Sequence, residues 1–176
     1  MGRPKALLEY DGETFIGRLQ RIFLAHCDLV VVVLGHEVEF IRSVLDPRVQ
    51  IAVNPDPERG MLSSLQAGLA ALHSAERVLF LPLDYPAVLE DTVAKLCAMP
   101  DCVIAMPRYE GTRGHPVMIS RAVVDELLAL PVAGAARDII RSHNHEIQYV
   151  DVADPAILVD VDTPEDYQAL MQRPRS

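Results

Sequence analysis

The stretch Leu29-Val-Val-Val-Val-Leu34 decides how the chain folds. It has no polar position, so it cannot be a strand with one face in water. A short, unbroken β-branched run of this kind reads as a strand covered on both faces. Its flanks agree. Upstream, Phe15, Ile16, Leu19, Ile22 and Phe23 fall at helical spacing within residues 14–26. Downstream, residues 37–45 read as helix and 49–53 as strand. The alternation continues with helix over 61–73, strand over 77–81, helix over 89–98 and strand over 102–106. Helices over 121–130 and 134–143 follow, then strands over 147–152 and 157–161. A last helix opens at Thr163-Pro164-Glu165-Asp166. There threonine can cap, proline suits the first helical position, and the acids favour the positive helix end. Strands alternating with helices predict an α/β fold: a Rossmann-like, mostly parallel sheet with helices on both faces, in three layers. No repeat or linker interrupts the pattern, so residues 1–176 read as a single domain.

Half the residues are hydrophobic and 23% are charged, as in an ordinary globular protein. The net charge of −9 argues against nonspecific binding to nucleic acid or to an anionic membrane, since both need a basic surface. It leaves room for a small anionic ligand held through a metal ion. The longest apolar run is far short of the roughly 20 residues of a membrane span, and no secretory leader is legible. Cys27, Cys97 and Cys102 make an odd count without zinc-type spacing. They read as buried thiols in a reducing cytoplasm.

In doubly wound sheets, ligands sit beyond the carboxyl ends of the strands. Polar groups follow the strands here: Gly35-His36 after the first run, Asn54 through Gly60 after the second, and Pro82-Leu83-Asp84-Tyr85-Pro86 after the third. Asp84, between two prolines, suits Mg²⁺, which uses one or two protein carboxylates plus substrate phosphates. It also suits a turn or a helix cap. Asp160 and Asp162 flank Val161, and in a strand residues two apart share a face, so both could converge on one point. One of them could instead orient the following turn. Gly60-Met61-Leu62-Ser63-Ser64-Leu65 opens a helix, where free N–H groups suit a phosphate or a base edge, or where serine simply caps. Gly114 permits close backbone approach before His115-Pro116, and His115 could touch substrate or be solvated. The other histidines have no metal spacing. No nucleophilic triad and no Walker A motif is present.

Taken in order, these segments resemble the nucleotidyltransferases that include the molybdenum cofactor cytidylyltransferases and their guanylyl and sugar-phosphate relatives. MGRPK, residues 1–5, resembles the end of that family's phosphate-binding loop, L-A-A-G-x-S-x-R-M-G-x-x-K. NPDPERGMLSSLQAGLAAL (54–72) resembles its nucleotide-side segment, and LFLPLDYP (79–86) its metal-aspartate segment. GHPVMISR (114–121) and LVDVDTPEDY (158–167) resemble its later substrate-side and second-metal segments. The likeness covers essentially the whole chain. It implies a domain that is incomplete at its amino end, without the first strand and most of the phosphate loop. The absent strand would be central in the sheet, and Lys5, near the chain end, is expected to be poorly held.

The resemblance also implies a reaction. An acceptor phosphate attacks the α-phosphorus of an NTP and pyrophosphate leaves. It places Mg²⁺ on Asp84 and Asp162, with Asp160 as a further candidate, and Gly2 and Lys5 on the triphosphate. Asn54, Gly60, Met61, Ser63, Ser64 and Leu65 would hold base and ribose, and Gly114 and His115 would face the acceptor. The implied substrates are CTP and a molybdopterin-type acceptor, with handover to a molybdoenzyme or chaperone. A sugar-phosphate nucleotidyltransferase, a noncatalytic nucleotide-binding module and a glycosyltransferase remain the rivals.

Overall fold

The computed structural model describes residues 4–35, 38–131 and 133–173. A 3₁₀ turn, Lys5–Leu7, leads into a small hairpin, β1 (Glu9–Tyr10) with β2 (Glu13–Thr14), and then α1 (Phe15–His26). There follow β3 (Val31–Leu34), α2 (Val38–Arg42), β4 (Gln50–Val53), α3 (Met61–Ala71), β5 (Arg77–Phe80) and α4 (Glu90–Cys97). The second half holds β6 (Ile104–Tyr109), β7 (Thr112–Arg113), β8 (Val117–Ser120), α5 (Arg121–Ala129), α6 (Ala136–Ser142), β9 (Ile147–Asp151) and α7 (Pro164–Met171).

The expected α/β class is present, and its sheet is mixed. β3 and β4 pair in parallel, as do β6 and β9. β8 lies antiparallel between β5 and β6. That strand was not foreseen: Val117–Ser120 runs straight into α5, with no intervening turn residue. The alternation of side chains explains why helices cover both faces. Ile104, Met106, Val117 and Ile119 join Leu69, Val123 and Leu127 in one cluster. The intervening Ala105 and Met118 pack with Leu96 of α4 on the other side. Period two along each strand thus feeds two separate cores.

The strand expected over 157–161 is absent. Residues Pro155–Leu158 form a 3₁₀ turn instead. Pro155 presets the turn, and the Asp154 side chain accepts a hydrogen bond from the Ala156 N–H at 3.0 Å. Ala156 and Ile157 are buried whatever the local geometry, so their apolarity could not distinguish turn from strand. Asp154 is only 2% exposed. It also accepts from the Leu89 N–H at 2.9 Å and the Thr92 hydroxyl at 2.7 Å, anchoring the start of α4 to this turn. Asp154→Ala leaves these donors buried and unpaired. We expect a loss of about 3 kcal/mol in urea unfolding at neutral pH; an unchanged midpoint would show the anchor to be dispensable.

Between β3 and β5 lies a cavity of about 780 Å³. Residues 29–34 and 75–83 form its walls, with Ile16 and Phe23 of α1 and Leu65 and Gly68 of α3. At the carboxyl ends of β3 and β5 the cavity reaches Leu34, Met61, Ser64 and Leu83.

Candidate functional site

Lys5 opens the first turn, whose next two residues, Ala6 and Leu7, are buried. Those anchors set the direction of the lysine. Its Nζ lies 2.7 Å from Asp84 Oδ1 and 2.9 Å from Asp162 Oδ1. Lys5 is therefore firmly held, contrary to expectation, because two buried neighbours and two carboxylates fix it. Asp84 comes from the loop after β5. Asp162 sits just before α7, whose capping box joins Thr163 and Asp166. Asp166 Oδ2 also accepts from the Asp162 N–H at 3.1 Å. One backbone bond ties the two loops, Val161 N–H to Asp84 O at 2.8 Å. Convergence of Asp84 and Asp162 follows from that bond and the cap, with no strand needed. Partial burial works to lower the Lys5 pKa, but the hydrogen bonds and charges of Asp84 and Asp162 outweigh it and raise the pKa above its usual value.

Asp160 is exposed and outside this clamp. Its charge acts instead on Tyr85 and His115. The His115 ring packs against Tyr85 at 4.7 Å between centroids and against Phe80 at 6.3 Å. Its Nδ1 is buried without a hydrogen-bond partner. Gly114 is indispensable for packing: a Cβ there would meet the Ile157 carbonyl oxygen at 2.2 Å. The close approach foreseen at this glycine is thus to the chain's own backbone, and the His115 N–H donates to the same oxygen at 3.0 Å. Burial pushes the His115 pKa below its ordinary value, opposed by Asp160. The imidazole is then neutral at pH 7. Acidification through pH ~6.5 charges the unfolded chain first, so this group's contribution to stability falls on that side. In an NMR titration its midpoint should lie below ~6.5; a higher value would contradict the burial.

Asn54, at the end of β4, is buried. Its amide donates to Ser63 Oγ at 2.8 Å and Ser64 Oγ at 3.0 Å, and its Oδ1 accepts from the Asp56 N–H at 3.0 Å. Ser63 Oγ lies 2.8 Å from Gly60 O. Gly60 has φ +86°, a conformation that favours glycine. These residues lock the loop onto the start of α3. Ser63 and Asn54 spend their polar groups on each other, Met61 is 68% exposed, and Leu65 packs against the main core. Gly2 lies outside the described residues.

The sequence-expected residues therefore fall into three groups at the carboxyl ends of β3, β4 and β5. Lys5, Asp84 and Asp162 form a charged clamp. His115 stands with Asp160, and Asn54 with Gly60, Ser63 and Ser64. Tyr85, Asp154 and Asp166 were not singled out in advance. The T-x-x-D spacing of Thr163 and Asp166 was the available signal for one of them.

Among the described residues, no group of three or more His, Cys, Asp or Glu is placed to hold a metal. The carboxylates of Asp84 and Asp162 already converge on one cationic nitrogen. That donor set fits a hard divalent ion completing its shell with substrate phosphate and water.

Residues 1–147 match the MobA-like NTP transferase domain family. The molybdenum cofactor cytidylyltransferase of Escherichia coli (strain K12) is 23% identical over 175 residues, covering 98% of this chain and 90% of its own length. The nicotine blue oxidoreductase of Paenarthrobacter nicotinovorans is 32% identical over 185 residues, covering 97% and 90%. Rv0371c from Mycobacterium tuberculosis H37Rv has a TM-score of 0.81 at 28% identity, covering 98% of this chain and 91% of that one. A manganese complex of Rv0371c has a TM-score of 0.78, also at 28% identity, covering 98% and 94%.

Proposed function

We propose that this chain, which belongs to the MobA-like NTP transferase family, moves CMP from CTP onto a molybdopterin-type phosphate acceptor with Mg²⁺ and releases pyrophosphate. The observation that carries this reading is the clamp of Lys5 between Asp84 and Asp162. Two carboxylates and one ammonium suit a triphosphate with its metal ion. The ionised acceptor phosphate is already a nucleophile, so no general base is required. The protein's contribution is alignment and charge neutralisation.

Asp84 and Asp162 would hold the ion. A bound divalent cation supplies charge neutralisation at the α-phosphate and orients the leaving group. Lys5 pairs with triphosphate oxygens once it leaves the carboxylates. Asn54, Ser63 and Ser64 hold the loop at Gly60 rigid, so that the N–H groups at the start of α3 face base and ribose. His115, neutral, would face the acceptor, and Tyr85 fixes its ring. Handover of the product to a molybdoenzyme or chaperone in the cytoplasm fits this reading. Among the described residues, no helix is long and apolar enough to cross a membrane.

The test is pyrophosphate release from CTP, GTP, ATP and UTP, with a molybdopterin acceptor and with sugar phosphates, under Mg²⁺ or Mn²⁺. Release from CTP with the molybdopterin acceptor supports the proposal. Release only with a sugar phosphate would replace the acceptor. Nucleotide binding without release would favour a noncatalytic module. Substrate oxidation or reduction without pyrophosphate would favour the chemistry named for the Paenarthrobacter relative.

A further inference from the structure

Cys27 follows the last residue of α1, and Cys97 is the last residue of α4. Far apart in sequence, their Sγ atoms lie 3.9 Å apart. Neither belongs to the clamp or to the groups around His115 and Asn54. Both line the cavity between β3 and β5, and neither is fully buried. We propose that Cys27 and Cys97 form a reversible oxidation site, closing to an intramolecular disulfide on exposure to hydrogen peroxide.

The chemistry assigns the two thiols different parts. The hydrogen bond from Cys27 lowers the Cys97 pKa to about 7, with smaller help from His26 and Arg77. The thiolate is the nucleophile in such reactions. Cys27 is pushed the other way, chiefly by that same hydrogen bond and by burial. The Cys97 thiolate attacks the peroxide: an S–O bond forms, the O–O bond breaks, and one hydroxide departs as water. Cys27 sulfur then attacks the sulfenic sulfur of Cys97. The S–S bond forms, the S–O bond breaks, and the second water leaves with the Cys27 proton. In sum two thiols lose two electrons and two protons, and the peroxide is reduced to two waters. The sulfurs must close from 3.9 Å to about 2.05 Å, a movement shared between two helix ends.

Cys102 is the internal control. It is buried, its pKa is raised by that burial, and it has no thiol neighbour among the described contacts. The whole chain is treated with hydrogen peroxide, quenched with iodoacetamide and weighed intact. The expected product is lighter by about 2 Da before alkylation, takes up one alkyl group in place of three, and yields a Cys27–Cys97 linked peptide. Dithiothreitol restores the starting mass. The bond should form faster in folded protein than in urea, and should raise the thermal midpoint by roughly 10 °C. Cys27→Ser should stop at a sulfenic acid on Cys97 that dimedone traps. Three alkylatable thiols after oxidation, a link through Cys102 or between chains, or equal rates in folded and urea-unfolded protein would each overturn the proposal. These readouts come from the unsubstituted protein, so a variant that misfolds leaves the outcome decidable.

Discussion

Asp84→Ala should lower metal-dependent pyrophosphate release at least about a hundredfold while the protein remains folded. The Asp84 carbonyl accepts from the Val161 N–H, and that bond survives the substitution. What disappears is one of the two carboxylates that converge on a single cation position. The side chain is 32% exposed and the pair with Lys5 is in contact with water. Its loss should therefore cost no more than about 1 kcal/mol of stability. Asp84→Asn is the sharper companion, since it keeps size and polarity and removes only charge. Both variants should keep the thermal midpoint to within about 4 °C. Excess Mn²⁺ should restore part of the turnover of Asp84→Asn, because Asp162 remains as a ligand. Wild-type turnover in either variant would remove Asp84 from the mechanism.

The sequence carried the fold where a side-chain pattern has only one structural solution. Leu29–Leu34 read as a strand, and Val31–Leu34 form β3 with Leu34 buried and the three valines half-buried, while Leu29 is exposed; α1 showed its period. The pattern failed where burial does not depend on local geometry. Ile157 is buried in a turn as it would be in a strand. Val117–Ser120 is a central strand that passes into α5 without a turn residue to mark its end. The clamp was legible as three residue types but not as an arrangement. Asp162 was placed beside its partner by the wrong device, strand alternation, when the causes are the Val161–Asp84 bond and the cap at Thr163. Asp160, the further candidate that alternation offered, lies outside the contacts of Lys5, and its charge acts on His115 and Tyr85. Loop-to-loop backbone bonds such as Val161–Asp84 leave no trace in composition or period, because any residue but proline can donate them.

Lys5→Met separates the two things that the clamp is proposed to do, because it should move them in opposite directions. Methionine keeps most of the side chain's length beside Ala6 and Leu7 and removes the charge. Without the ammonium, the carboxylates of Asp84 and Asp162 face each other across a position that a divalent ion can occupy unopposed. A unit positive charge about 4 Å from a divalent ion is worth up to ~8 kcal/mol of repulsion near a protein surface, and far less with solvent screening and side-chain motion. We therefore expect Mn²⁺ to bind about tenfold more tightly in the absence of nucleotide, as read by titration calorimetry. The triphosphate, by contrast, loses a cation that would meet it in the transition state. Turnover measured as kcat/KM for the NTP should fall about a hundredfold. A lysine that merely braced two loops would behave otherwise. Its removal would loosen Asp84 against Asp162 and weaken metal binding and turnover together. Tighter metal with slower chemistry is thus the signature of an ammonium that shares its carboxylates with the metal and its charge with the substrate.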